Sequence, residues 1–127
     1  MIIGYSGQDG GYLFDLLKEK DFIVIGIGRS AVESYLVSAP EIVDILSPHQ
    51  IRKLVRQYPV DEIYYLAAHQ HSAEMGTADD YQLFSESFDV HVSGLLNLLE
   101  SIKETGNKTK VFYAGSSHIY GDVLNFP

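Results

Sequence analysis

An α/β domain with a doubly wound parallel sheet is the fold this sequence predicts, on three observations. Short apolar runs rich in β-branched residues alternate with longer amphipathic stretches. Runs such as "IVIGI" and "IYYLAA" are apolar on both faces, the pattern of strands buried in the middle of a parallel sheet. Between the first run and the first amphipathic stretch stands a turn with three evenly spaced glycines, Gly4, Gly7 and Gly10.

The elements follow in order. "MIIGY" reads as a first strand, and Gly11 to Lys20 as a helix with Leu13, Phe14, Leu16 and Leu17 on its buried face. "DFIVIGIG" is a second, central parallel strand, and "EIVDI" a third. Ser47 supplies an N-cap and Pro48 a first-turn proline for the helix "HQIRKLVRQY". "DEIYYLAA" is the fourth strand. From about Asp80 to Thr105 one long helix carries Phe84, Phe88, Val92, Leu95, Leu96, Leu99 and Ile102 at core spacing, and Gly106 with Asn107 closes it. "KVFYAG" is the fifth strand. Right-handed crossovers connect such units, and the ligand of such a sheet sits beyond the carboxyl ends of its strands. "HQHSAEMGTADD" is expected to be the mobile loop, and the tail "GDVLNFP" ends without a closing element. Residues 1–127 thus read as one domain, its sheet truncated after the fifth strand.

Composition narrows the function. At 127 residues, 46% hydrophobic and 20% charged, the chain can bury a core of its own. It has no cysteine, which excludes disulfides and thiolate metal sites and fits a reducing compartment. A net charge of -8 argues against nucleic acid, whose phosphates need clustered Lys and Arg. A local anion site is still open to it, since a helix N-terminus and one Arg suffice. The apolar runs are strand-sized and too short for a membrane span, and nothing resembles a signal peptide. A cytoplasmic protein is expected.

The glycine turn has a chemical reading. Gly4 permits a tight turn off the strand, Gly7 lets backbone approach a pyrophosphate, and Gly10 lets the helix pack closely on the sheet. The helix dipole and free N–H groups then face the phosphates, and the Ser6 hydroxyl adds a donor. Gly4, Ser6, Gly7, Gln8, Asp9 and Gly10 are the candidate cradle for a dinucleotide. The competing reading is a structural turn without a ligand.

Here the residues resemble a family. GxxGxxG spacing at the N-terminus is similar to that of the extended short-chain dehydrogenase/reductase family, the NAD(P)-dependent nucleotide-sugar epimerases and dehydratases. "SGQDGGYL" resembles the "TGQDGSYL" stretch of its GDP-mannose 4,6-dehydratase branch. "DEIYYLAAHQH" is similar to "xxIyNLaAqSH", "GLLNLLESIKETG" to the "GTLxLLEAv" helix, and "YAGSSHIYG" to "AS(S/T)SExYG". The resemblance covers nearly the whole chain and implies a Rossmann-like fold.

It also implies site residues. The acid that would select NAD falls at Gly28, and Arg29 follows with Ser30 beside it. A guanidinium there suits the 2′-phosphate of NADP, so NADP is expected and NAD is the lesser candidate. Asp44 and Ile45 match the family's adenine-contacting pair, unless Asp44 simply caps the next loop. Leu66, Ala67 and Ala68 end the fourth strand, where small side chains leave room for ribose and diphosphate. Ser116 matches the Ser/Thr that holds the sugar's 4-hydroxyl. His118 stands where dehydratases place a Glu; an imidazole could act as a base near neutral pH, but the departure counts against dehydration and leaves epimerase or reductase chemistry open. His69 and His71 fall among polar residues near cofactor and sugar. No metal site is expected, because no carboxylate stands beside them at ligand spacing.

None of the nine tyrosines has Lys four positions on, so the family's Tyr-x-x-x-Lys pair is lacking. The expectation is the NADP-binding, N-terminal part of a larger enzyme acting on a nucleotide-sugar substrate of the GDP-mannose class. The alternative is a non-catalytic binding or partner-docking module. A homo-oligomer is expected, since an open apolar sheet edge favours association.

Overall fold

In the computed structural model of the chain, the described residues are 1–30, 32–69 and 79–116. Five strands form one sheet: β1 (Ile2–Ile3), β2 (Val24–Ile27), β3 (Val32–Tyr35), β4 (Glu62–Tyr65) and β5 (Lys110–Tyr113), in the spatial order β3-β2-β1-β4-β5. β1 lies at the centre, with Ile2 opposite Gly26 on one side and Tyr64 on the other, both pairings parallel. β4 and β5 are also parallel, whereas β3 runs antiparallel to β2 with Val24 opposite Tyr35. The helices are α1 (Gln8–Glu19), α2 (Pro48–Gln57), α3 (Asp80–Phe88) and α4 (Leu95–Thr105), the last two joined by a π-helical turn over Asp89–Gly94.

The Rossmann-like architecture agrees with expectation, and three elements differ from it. The third strand is "VESY" and not "EIVDI", which makes the sheet mixed. Only residues 28–31 separate β2 from its neighbour, enough for a hairpin and far too few for a parallel crossover. Residues 41–45 form no strand; their apolar pattern is satisfied because Val43 is buried and Ile45 packs against the same core.

The first helix begins at Gln8, three residues earlier than expected. Gly7 is its extended N-cap, and the Gly11 N–H donates to the Gly7 carbonyl at 2.9 Å. Phe14 is buried and Leu13 and Leu17 half-buried, but Leu16 is exposed.

The long helix is not one α-helix. Its π turn adds a residue and shifts the phase of the helix, so a single 3.6-residue pattern cannot describe both halves. Gly94, Leu98, Ser101 and Ile102 form the buried face, with Leu95 partly buried, while Phe84, Phe88, Val92, Leu96 and Leu99 are exposed. The end signals read as expected. The Gln50 N–H donates to Ser47 Oγ at 3.4 Å with Pro48 at the first position of α2. Gly106, left-handed at φ +69°, closes α4.

Alternation along the strands sends side chains to two faces. Ile3, Ile25, Ile27, Ile63 and Tyr65 pack against α2 and α4, and Ile2 and Val24 pack against Phe14 of α1. Gly26 falls on the α1 face, where a Cβ would lie 2.5 Å from the Tyr5 ring. That ring occupies the space and packs on Phe14, centroids 5.6 Å apart.

Candidate functional site

The strand ends at Ile3, Ile27, Tyr65 and Tyr113 open onto a cleft of about 640 Å³. Its floor is the glycine turn. The Gly4 N–H donates to the Ile27 carbonyl at 2.7 Å, the Leu66 N–H to the Ile3 carbonyl at 2.8 Å, and the Gly7 N–H to the Gly4 carbonyl at 3.1 Å. Gly4 has φ +92°, and a Cβ on it would lie 2.5 Å from the Ala67 nitrogen. A Cβ on Gly10 would drive into the Gly4 carbonyl and reach 2.5 Å from Tyr5 Cα. Backbone therefore closes on backbone at both positions, and only glycine fits there. The N-cap Gly7 offers no side-chain acceptor, and among the described residues no side chain caps the first turn of α1, which stands at the positive end of the helix dipole.

Most of the residues singled out in the sequence meet here. Gly4, Ser6, Gly7, Gln8, Asp9 and Gly10 line the cleft on the α1 side, and Leu66, Ala67 and Ala68 line it at the end of β4. Arg29 reaches it from the end of β2, exposed and without an ion-pair or hydrogen-bond partner among the described residues. Ile45 joins the wall. Ser30 does not line the cleft, and neither does Asp44. The Asp44 carboxylate accepts from the Leu46 N–H at 2.9 Å, and its own N–H donates to Gln50 Oε1 at 2.8 Å, so it shapes the loop before α2. Ser116 is exposed two residues beyond Ala114, the last lining residue. His71, His118 and the tail after Ser116 lie outside the described residues.

The structure adds lining residues that were not among the sequence candidates. Gly28 and Ala114 extend the strand ends, and Val43 and Val90 make the wall apolar. Val90 was hidden because it sits in the π turn, which no periodicity signals. The Tyr65 hydroxyl donates to the Val90 carbonyl at 2.5 Å, and burial, with Tyr113 adding to it, pushes that phenol up to about 12. His69 also lines the cleft; its Nε2 lies 3.4 Å from Glu86 Oε2, a close approach without hydrogen-bond alignment. Among the described residues, no three His, Cys, Asp or Glu side chains cluster to hold a metal, and no helix is long and apolar enough to cross a membrane.

Bare backbone, open amides, one unpartnered guanidinium and an apolar wall suit an elongated ligand with a diphosphate in its middle and flat rings at its ends. The architecture has close relatives. The chain superposes with a TM-score of 0.76 on UDP-glucose 4-epimerase from Bifidobacterium longum, solved with NAD+ and UDP, at 17% identity over 99% of this chain and 39% of that one. It superposes with a TM-score of 0.73 on the enzyme from Stenotrophomonas maltophila, solved with NAD, at 19% identity over 99% of this chain.

Sequence relatives are nearer. GDP-mannose 4,6-dehydratase from Yersinia enterocolitica is 31% identical over 100% of this chain and 37% of its own length. The Homo sapiens enzyme is 29% identical over 100% of this chain and 38% of its own length. The chain thus spans little more than a third of the length of these two relatives. The NAD dependent epimerase/dehydratase family matches residues 1–127, and the chain belongs to that family.

Proposed function

We propose that the chain is the NADP-binding part of a nucleotide-sugar 4,6-dehydratase or epimerase acting on a GDP-mannose-class substrate. The observation that carries this reading is the glycine turn closed by backbone contacts, with Arg29 lining the cleft at the end of β2 and unpartnered among the described residues. Similarity to GDP-mannose 4,6-dehydratases along the whole chain supports the substrate class.

The diphosphate would sit on the N–H groups of Gln8 to Gly10 with the Ser6 hydroxyl beside them. Arg29 would take the 2′-phosphate, Val43 and Ile45 would flank the adenine, and Leu66, Ala67 and Ala68 would leave room along the nicotinamide half. When bound, the nicotinamide supplies reversible hydride transfer at sugar C4. Ser116 would donate its hydroxyl to the C4 oxygen, and His118 would exchange a proton at the neighbouring carbon. The parent enzyme is read as cytoplasmic and homo-oligomeric.

A second reading is a non-catalytic dinucleotide-binding module, which the same glycine turn and cleft would serve. The coding sequence downstream of Pro127 separates the two. A Tyr-x-x-x-Lys pair in frame supports the enzyme, and a stop codon supports the module.

Calorimetric titration of NADP and NAD in parallel tests the cofactor. NADP is expected to bind about tenfold tighter, the scale of one charge-assisted hydrogen bond. Arg29→Ala should remove that preference while leaving NAD affinity unchanged. Equal affinities in the parent chain would remove Arg29 as the phosphate reader. Binding of neither would remove the dinucleotide reading.

A further inference from the structure

The wall of the cleft at Val43 and Ile45 belongs to a loop, and loops need something to hold them. Three hydrogen bonds give this one its shape: Leu46 N–H to Asp44 Oδ1 at 2.9 Å, Ser47 N–H to the Asp44 carbonyl at 3.0 Å, and Asp44 N–H to Gln50 Oε1 at 2.8 Å. All three are local, reaching no further than the first turn of α2, so none fixes the loop relative to the rest of the cleft.

One bond does. Asn97, on α4 and 52 residues away in sequence, donates its Nδ2 to the Ile45 carbonyl at 3.0 Å in a partly buried setting. α4 also shapes the space the Ile45 side chain occupies, since a Cβ on Gly94 would lie 3.0 Å from Ile45 Cδ1 and 2.5 Å from the Tyr65 hydroxyl oxygen. The helix itself is anchored in the core by Leu98, which is fully buried. A rigid line therefore runs from the core through Leu98 and Asn97 to the main chain of Ile45.

We propose that Asn97 is a positioning residue that holds the Val43–Ile45 wall in place for the adenosine half of a dinucleotide. This rests on the reading of the cleft given above. In a sheet of this kind the adenosine half lies beyond the end of β2. Val43 is buried in, and Ile45 packs on, the cluster that contains Ile25 and Ile27 of β2. Without the amide donor, the Ile45 carbonyl loses its partner and the loop shifts toward water to solvate it. Asn97 touches no ligand in this account. It acts through the backbone it holds, and pre-organisation of the wall is what a ligand gains.

The experiment compares the parent chain with Asn97→Leu, and with Asn97→Ala should the larger side chain fail to fold. ADP, nicotinamide mononucleotide and NADP are the titrants, and amide hydrogen exchange is read alongside. The substitution should weaken ADP and NADP about tenfold, the scale of one hydrogen bond, and leave nicotinamide mononucleotide unchanged. Exchange at the Leu46 and Ser47 amides should accelerate, while the amides of Ile25 and Ile63 stay protected. Unchanged ADP affinity in the variant, with the parent binding normally, overturns the role of Asn97 and leaves the dinucleotide reading intact. Equal losses for both half-ligands, with faster exchange throughout, mean a merely structural residue and also overturn it. A parent chain that binds neither ADP nor NADP overturns the dinucleotide reading first and this assignment with it.

Discussion

The two faces of the sheet are held to their helices by different means. Among the described residues, twelve buried ones form the cluster of α2, α4 and the strands facing them, including Ile51, Leu54, Tyr65 and Leu98, so side-chain burial carries that face. Beneath α1 there are three, Ile2, Phe14 and Val24, and the helix instead approaches so closely that Gly10 cannot carry a Cβ. Further along the α1 face, Phe112 of β5 pairs with Tyr64 at 6.0 Å between ring centroids but stays 56% exposed. One face is filled by side chains and the other is fitted by backbone. The lesson is that the cleft takes its floor from the backbone-fitted side and part of its apolar wall from the side-chain-filled one.

The contrast can be broken at its strongest point first. Leu98→Ala empties a fully buried site surrounded by strands and helices that cannot collapse, and should cost about 4 kcal/mol in urea denaturation. Gly10→Ala adds a methyl on the other face against the Gly4 carbonyl and Tyr5 backbone, and should cost about 3 kcal/mol. It should also abolish dinucleotide binding, whereas Leu98→Ala should weaken binding far less. If Gly10→Ala were neutral, backbone fit would not be what holds α1.

The next effect follows pH. At the head of β1 the Met1 amine donates to the Glu62 carbonyl at 2.8 Å, and burial lowers its pKa to about 6, against the opposing pull of Glu62 and Asp61. The unfolded amine holds its proton up to about pH 8, so the unfolded chain binds the extra proton between pH 6 and 8 and stability falls as pH drops through that window. For the chain beginning at Met1 the loss is about 2–3 kcal/mol. Comparing denaturation at pH 6 and pH 8 with an N-terminally acetylated chain checks it, because acetylation removes the titrating group and should flatten the profile. The smallest effect should come from Leu17→Ala, about 1 kcal/mol, since Leu17 is only half-buried on the thinner face. A cost equal to that of Leu98→Ala would erase the distinction between the faces.

Particular residues show how much of this was legible in the chain. The glycine turn, the Ser47–Pro48 start of α2 and the Gly106 stop depend on a few neighbouring residues, and local rules read them directly. Arg29 and the alanines after β4 could be placed at strand ends because the strands themselves were recognisable. Val43 was visible as apolar but was assigned to a strand that does not exist, since an apolar run does not state whether it pairs or merely packs. Val90 and Leu98 were missed because a π turn shifts the helix phase, and Asn97 because its partner, the Ile45 carbonyl, is 52 residues away.

By itself, then, the sequence determined the class of the fold, the turn that can face a diphosphate, and the ends of its helices, because backbone freedom and capping act over a few residues. Tertiary structure alone decided which face of α4 is buried, that the sheet carries an antiparallel edge, and which residues wall the cleft. Those outcomes rest on contacts between segments more than 50 residues apart, as from Asn97 to Ile45 and from Leu66 to Ile3, where the energy of packing overrides any local period.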